Sequence, residues 1–165
     1  MGINNNGFEP VQFRDALGRF TTGVCVVTAA IEGAAPFGMT INSFASLSLA
    51  PPLVLWSLQK NSGLAPQWAQ AGRYAINILS ADQQSLANRY ARKDNHQLAR
   101  EDYHLGGQQL PLIDGAIASL ECAIAARHDG GDHIILVGEV LGITLGENTE
   151  PLVFYGGQYA HLGER

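Results

Sequence analysis

The segment from Gly38 to Ser62, GMTINSFASLSLAPPLVLWSLQKNS, concentrates small hydrogen-bonding side chains in a sequence that otherwise has the apolar pattern of β-strands. It contains five serines, one threonine and two asparagines. Such residues often bond to nearby backbone where a strand ends, which would be a turn function. They can equally form a neutral polar rim around a flat ligand whose faces need apolar walls. The residues alone leave both interpretations open.

Three residues, at two places in the sequence, could bind a charged or heteroaromatic ligand. Lys60 and Ser62 precede a predicted short helix, where a cation and free backbone N–H groups suit a phosphate. A single lysine there is more often simply solvated, and it is the combination with the polar rim that favours phosphate. His133 opens a later strand, where an isolated histidine is more often structural than a ligand contact. Asp132 beside it could orient the imidazole.

Composition and charge exclude several classes of protein. The chain has 165 residues, 10 Lys and Arg against 15 Asp and Glu, and a net charge of -5. The basic residues do not cluster, which argues against a nucleic-acid partner. No apolar run reaches the ~18 residues of a membrane span and the N-terminus lacks signal-peptide features, so we expect a cytoplasmic protein without a membrane contact. Charged residues are only 15% of the chain, which favours an oligomer that hides part of its surface.

Cysteine and histidine spacing does not indicate a metal site. Cys25 and Cys122 lie in apolar runs and are expected to be buried hydrophobic residues. The five histidines show no HExxH or Cys/His ligand spacing. The chain also lacks GxGxxG, GxxxxGK[ST] and GxSxG, so a nucleotide would have to be held by some other arrangement.

The elements that must position these residues are mostly strands. Apolar residues at 13, 17 and 20 predict a short helix over 11–20 with one face on the core. Ser80 and Gln83 form a capping box ahead of a helix over 83–93, and a shorter helix is expected from Ala65. A polar stretch over 94–115 reads as a long surface connection with a helical fragment, a candidate lid. Strands are predicted over 23–31, 39–44, 51–59, 73–79, 119–129, 132–145 and 151–155.

This order predicts a single domain over 1–165, with a core over about 11–162. Six or seven strands joined mostly by short turns, with two or three inserted helices, indicate a mainly β protein and an antiparallel barrel. A doubly wound parallel sheet is not favoured, because strands and helices do not alternate regularly.

Four segments together resemble the flavin reductase-like family, the short-chain NAD(P)H:flavin oxidoreductases that serve two-component monooxygenases. They are Gly38–Ser62, RYAINIL, LECAIAARHDGGDHIILVGEV and PLVFYGGQY, which follow the family's order from about Phe13 to Leu162. The resemblance implies an antiparallel split β-barrel, the FMN-binding split barrel. It also implies a homodimer, FMN or FAD as the flavin, and NADH or NADPH as co-substrate.

The resemblance also assigns roles to individual residues. The isoalloxazine and ribityl region would be lined by Gly38, Met39, Thr40, Asn42, Ser43 and Ser46. The ribityl chain would be flanked by Ser57, Leu58 and Gln59, and the phosphate would meet Lys60, Ser62 and Arg89. His133 would contact the nicotinamide and Tyr159 would close over the same cavity. No general acid or nucleophile is expected, since hydride transfer depends mainly on orientation of the two reactants.

Three functions remain open at this point. The chain could reduce free flavin and release it to a flavin-dependent monooxygenase, which the histidine of GGDH favours. It could instead keep a bound flavin and reduce another acceptor, or be a non-catalytic flavin- or haem-binding module. Gly156 stands where the family pattern leads us to expect arginine, which puts one contact to the pyridine nucleotide in doubt.

Overall fold

The computed structural model describes residues 7–94 and 96–163, which form a mainly β protein with three α-helices. The helices are α1 (Pro10–Gly18), α2 (Ala65–Gln70) and α3 (Gln84–Ala91). The first strands are β1 (Thr22–Gly23), β2 (Cys25–Ala29), β3 (Phe37–Ile41), β4 (Ala45–Leu49), β5 (Pro52–Gln59) and β6 (Arg73–Ile78). The remaining strands are β7 (Tyr103–Leu105), β8 (Pro111–Ile113), β9 (Ala118–Gly130), β10 (His133–Leu145), β11 (Val153–Tyr155) and β12 (Gln158–Ala160).

Seven strands form one antiparallel sheet in the order β3-β2-β6-β9-β10-β5-β4. Its two edge strands, β3 and β4, are consecutive in the chain and are separated only by Asn42–Phe44. Ile41 and Ala45 therefore lie at most about 14 Å apart, since an extended chain advances at most ~3.6 Å per residue. The sheet must curl until its edges approach each other, which agrees with the predicted split barrel.

The main core lies under this curled sheet and is rich in aromatic residues. Trp56 on β5, Trp68 on α2 and Tyr74 on β6 are all at most 1% exposed. The Trp56 and Trp68 rings meet edge to face with centroids 4.8 Å apart, a geometry worth about 0.5–1.5 kcal/mol beyond burial. Arg127 donates to the carbonyls of Trp68 and Ala71 at 3.3 and 2.7 Å, which fixes the end of α2 on the sheet. Cys25 and Cys122 are buried as predicted.

A buried hydrogen-bond network centred on Asn77 anchors the long connection after α3. The Asn77 amide N–H donates to the carbonyl of Val26 at 3.0 Å and to Thr28 Oγ1 at 3.1 Å. Its oxygen accepts from the backbone N–H of Ile113 at 3.0 Å and from Ser119 Oγ at 2.7 Å. The amide is fully buried and every polar position on it has a partner, so the network stabilises rather than penalises the core.

The segment over 94–115 contains the β7–β8 hairpin and a 3-10 turn at Arg100–Asp102, which the sequence analysis did not separate. Leu98, Leu110 and Leu112 are at most 4% exposed, so the segment contributes to the core. Asp102 also accepts hydrogen bonds from Arg89 at 2.6 Å and from the Tyr90 hydroxyl at 2.5 Å. The segment is therefore an integral part of the fold. Its burial and its hydrogen bonds do not support the prediction of a lid.

Helix α1 forms where predicted, but the expectation that it packs one face on the core is wrong. None of its residues is buried, and Phe13, Leu17 and the following Phe20 are 53%, 58% and 77% exposed. The periodicity correctly indicated an apolar face. It could not indicate what covers that face, because no other part of the described chain does. Among the described residues, no helix has the length and apolar character needed to cross a lipid bilayer.

Candidate functional site

The seam, where the edge strands β3 and β4 approach each other through Asn42–Phe44, borders a cavity of about 180 Å³ that opens between β3 and helix α3. Thr40 and Ile41 of β3, the following Asn42, and Phe154 and Tyr159 of the β11–β12 hairpin line it, together with Val24 and Ala91. Phe154 and Tyr159 meet edge to face with centroids 5.6 Å apart, which gives the cavity an aromatic wall. Burial raises the pKa of the Tyr159 hydroxyl, so it is protonated at neutral pH. Three predicted site residues, Thr40, Asn42 and Tyr159, are thereby brought together.

The polar groups in this cavity differ in the hydrogen bonds that they can still make to a ligand. Thr40 Oγ1 donates to the carbonyl of Ala87 on α3 at 2.7 Å, so its hydroxyl can only accept from a ligand. Asn42 is exposed, and its side-chain amide makes no hydrogen bond to the described residues. It is therefore the strongest candidate for bonds to the donor and acceptor edge of a flat heteroaromatic ring.

A larger groove of about 650 Å³ continues from the same cavity, because Asn42 and Phe154 line both. Its other side is formed by Arg14 on α1, by Phe20 just after that helix, and by the turn at Gly156 and Gly157. The N–H of Gly156 donates to the carbonyl of Gly18 at 2.9 Å, which ties this turn to the helix. Gly156 has a φ of +60°, and a side chain there would meet no atom within 4 Å. The missing arginine thus leaves open space at this end of the groove.

Ser43 connects the seam to the end of β5. Its hydroxyl oxygen accepts from the backbone N–H of Ser57 at 3.1 Å. Pairing between β4 and β5 ends at Leu55, so the N–H of Ser57 has no strand partner on this side and the serine hydroxyl replaces one. Ser43, the neighbour of Asn42, is thereby held against β5, two residues before Gln59 at the end of that strand and three before Lys60.

A second group of polar residues lies where β5 meets the β9–β10 hairpin. Gln59 is paired with His133, and the N–H of Lys60 donates to the carbonyl of Asp132 at 2.9 Å. The His133 Nδ1 lies 2.7 Å from Asp132 Oδ1, and this contact lowers the pKa of the aspartate. The turn at Gly130–Asp132 lets adjacent residues contact each other, which a continuous strand would not. The ammonium of Lys60 forms an ion pair with Asp129.

Other predicted site residues contribute backbone or packing rather than a free side chain. Met39 is half-buried against the main core, whereas Leu58 is 2% exposed and could meet a ligand only through backbone atoms. Gly38 is buried, and its N–H donates to the carbonyl of His96 at 2.9 Å. A Cβ there would lie 3.0 Å from both Leu98 and the carbonyl of Val27, which explains the glycine by close packing.

The remaining predicted residues lie at the margins. Ser46 is exposed on β4, next to the register shift between Ser46 and Ser48. Ser62 Oγ accepts from the N–H of Leu64 at 3.2 Å, and α2 begins at Ala65 as predicted. Arg89 is paired with Asp102, and that contact raises the pKa of its guanidinium. A phosphate would have to compete with Asp102 for Arg89, which leaves this position the weakest of the predicted contacts.

Sequence patterns did not single out Phe154, which lines both the cavity and the groove, because PLVFY has the pattern of an ordinary short strand. The two glycines that follow this strand could have indicated that it belongs to a hairpin. Gly156 and Gly157 both have positive φ, of +60° and +79°, and make the two-residue turn of a hairpin between β11 and β12. The hairpin places Phe154 directly opposite Tyr159.

The residues present fit a flavin in their chemistry. A free amide, a hydroxyl acceptor and a protonated phenol lie beside apolar and aromatic walls, and a lysine and a histidine follow along β5 and β10. An antiparallel sheet curled to a seam, with such a cavity at the seam, defines the class of split-barrel proteins that bind flat heteroaromatic ligands. The chain belongs to the flavin reductase-like family, since the family model described as a flavin reductase like domain matches residues 17–163.

Curated relatives and solved structures agree with this membership. The chain is 47% identical to "FMN reductase (NADH) SmoA" of Agrobacterium fabrum, over 93% of this chain and 86% of the relative. It is 36% identical to "Flavin-dependent monooxygenase, reductase subunit HsaB" of Rhodococcus jostii, over 93% and 78% of the two chains. The NADH:FAD oxidoreductase SgcE6 of Streptomyces globisporus, solved with NAD and FAD fragments, superposes with a TM-score of 0.87 at 40% identity. That match covers 94% of this chain and 93% of SgcE6.

These matches confirm the family, the fold class and the enzyme class predicted from the sequence: an oxidoreductase that acts on FMN or FAD with a nicotinamide nucleotide. The roles of the individual site residues remain predictions.

Proposed function

We propose that this protein uses NADH to reduce free FMN or FAD and releases the reduced flavin to a flavin-dependent monooxygenase. The observation that carries the proposal is the seam itself. A cavity with one free amide, that of Asn42, and one aromatic wall lies beside Ser43, which bonds to β5, the strand that leads to Lys60 and pairs with His133. The names of SmoA and HsaB, an NADH-dependent FMN reductase and a monooxygenase reductase subunit, support the choice of substrates.

The chain's own contribution is binding and orientation. Asn42 would bond to the polar edge of the flavin ring, and the wall of Phe154 and Tyr159 would exclude water from one side of the cavity. When the flavin is bound, its N5 accepts the hydride that the nicotinamide C4 gives up. His133, oriented by Asp132 at 2.7 Å, would hold the nicotinamide, and Lys60 would face the flavin phosphate. Orientation of this kind can lower the activation barrier by up to about 7–11 kcal/mol.

We further propose that the protein acts as a homodimer. Near one end of the sheet, Leu49 on β4 and Ile143 and Leu145 on β10 are 96%, 65% and 78% exposed. Strand β10 extends past β5 at this end, because its pairing with β5 stops at Glu139. An exposed apolar strand with unpaired backbone groups invites a second chain. The low charged fraction of the sequence supports a second copy as the partner.

The first test is NADH oxidation at 340 nm by purified protein in air, with and without added FMN, FAD or riboflavin. Rapid turnover that requires added flavin is the expected result. Stoichiometric flavin absorbance in the purified protein, with turnover independent of added flavin, would favour a prosthetic flavin that reduces another acceptor. Absence of turnover with both NADH and NADPH would overturn the enzymatic proposal and favour a binding module.

A further inference from the structure

Lys60, whose ammonium is proposed to bind the flavin phosphate, already forms an ion pair with Asp129 of the same chain. Lys60 lies one residue past the end of β5, and its side chain reaches past β10 to the carboxylate of Asp129 on β9. Its backbone is fixed as well, since its N–H donates to the carbonyl of Asp132 at 2.9 Å. The ammonium therefore rests over the β9–β10 hairpin.

Two carboxylates of the hairpin, those of Asp129 and Asp132, lie close to this ammonium. Asp129 is 78% exposed, and its contact with Lys60 lowers the pKa of the carboxyl, so it is ionised at neutral pH. Asp132, in the turn of the hairpin, contacts His133 at the start of β10. No other Lys or Arg in the described residues forms an ion pair with Asp129 or Asp132. A phosphate that approaches Lys60 thus meets a cation that is already neutralised.

We propose that Asp129 competes with the flavin phosphate for Lys60 and thereby weakens the binding of phosphorylated flavins. This inference rests on the proposed role of Lys60 at the phosphate. The ion pair must open before the phosphate can bind, and it re-forms when the flavin leaves. Because both partners are exposed, the pair is weak and sensitive to salt, so it reduces affinity without blocking the site. Weaker binding of this kind favours release of the reduced flavin to another protein.

The test compares FMN with riboflavin, which has the same ring and ribityl chain but no phosphate. Dissociation constants are measured by flavin fluorescence quenching at low ionic strength for the unmodified protein, Asp129→Asn, Lys60→Met and the double variant. Glu139→Gln is the matched control. It removes one exposed negative charge from the same hairpin, at a position about 20 Å from His133 along β10.

We expect Asp129→Asn to tighten FMN binding by roughly three- to tenfold and to change riboflavin binding by less than about twofold. Glu139→Gln should change neither, and the gain should shrink as KCl is raised. An unchanged or weaker FMN affinity in Asp129→Asn overturns the inference, as does an equal gain for riboflavin. A gain that persists in the Lys60→Met background also overturns it, because Asp129 would then act on the phosphate directly.

Lys60→Met separates this inference from the proposed function. If Lys60→Met weakens FMN but not riboflavin while Asp129→Asn has no effect, the phosphate role of Lys60 stands and the competition fails. If Lys60→Met leaves FMN binding unchanged, the phosphate assignment fails and the inference fails with it.

Discussion

Ser43 Oγ lies 3.1 Å from the backbone nitrogen of Ser57 and accepts its hydrogen bond at the point where strand β4 no longer pairs with β5. One side chain thus continues the hydrogen bonding between β4 and β5 beyond their last paired residues, Ala45 and Leu55. The same contact relates the seam cavity to the residues at the end of β5. The predicted consequences of this arrangement concern stability, binding and assembly.

Replacing Ser43 with alanine should remove the partner of the Ser57 N–H. Because the group is only half-buried, water can partly replace the hydroxyl, and we expect a loss of about 1 kcal/mol in the free energy of unfolding. FMN affinity should fall as well, since Asn42 loses its fixed position. Urea unfolding and a flavin titration measure the two effects, with Ser85→Ala on the exposed surface of α3 as the control. Equal behaviour of the two variants would count against this role.

Replacing His133 with alanine should impair use of the nicotinamide more than binding of the flavin. We expect KM for NADH to rise about tenfold, the equivalent of one lost hydrogen bond, while the flavin dissociation constant stays within about twofold. His128→Ala on β9 of the same hairpin serves as the control. Similar losses for NADH and flavin would remove His133 from the nicotinamide contact.

Replacing Asn77 with alanine should be the most destabilising of these changes. The backbone N–H of Ile113 and the hydroxyl of Ser119 would lose their acceptor in a fully buried site, and a small cavity would remain. The expected cost is about 3 kcal/mol, measured by urea unfolding. Asn88→Ala on the exposed face of α3 should stay within about 0.5 kcal/mol of the unmodified protein. A cost below about 1 kcal/mol at Asn77 would show that the network is not needed.

Both cysteines should be unreactive in the folded protein. Burial raises the pKa of Cys25 and of Cys122 to about 12, so neither is a thiolate at pH 8. Because the folded pKa lies above the unfolded value, this contribution to stability is complete below about pH 9 and is lost as pH rises toward 12. A thiol reagent at pH 8 should label neither cysteine in the folded state and both in guanidinium chloride. Fast labelling of the native protein would contradict the burial.

The proposed dimer predicts an effect of charge at the exposed end of the sheet. Leu49 is 96% exposed in one chain, so Leu49→Lys should not change the stability of the protomer. It should weaken association, because a buried lysine without a partner is costly in an interface. Sedimentation velocity should show twice the 17.6 kDa chain mass for the unmodified protein and more monomer for the variant. Leu105→Lys, which is exposed on β7, is the control, and identical sedimentation of both variants would argue against this interface.

Sequence patterns correctly predicted those helices and strands that depend on neighbouring residues in the chain. The capping box at Ser80 and Gln83 exists as predicted, and the long strands β9 and β10 follow their apolar patterns. Strand β4 was missed because ASLSL is short and mostly exposed, so its pairing with β5 is its main support. The Asn77 network joins residues 36–51 positions apart, and no local pattern can show such contacts.

In the candidate site too, some features could be predicted from the sequence and others depend on contacts between distant residues. The resemblance to flavin reductases pointed to Thr40, Asn42 and Tyr159, and the fold brings these three to one cavity. It could not indicate that Thr40 already donates to Ala87, or that Lys60 is paired with Asp129, because both partners are distant in sequence. Which hydrogen bonds remain free for a ligand is decided by tertiary structure.

The three-residue connection Asn42–Phe44 has to span the two sheet edges and also present the cavity amide. Its length is therefore constrained twice, by closure of the seam and by the reach of one side chain. Over evolutionary time, insertions and deletions should be excluded from this connection. Length variation should instead accumulate in exposed turns such as 30–35 and 146–150, which line neither the seam cavity nor the groove beside it.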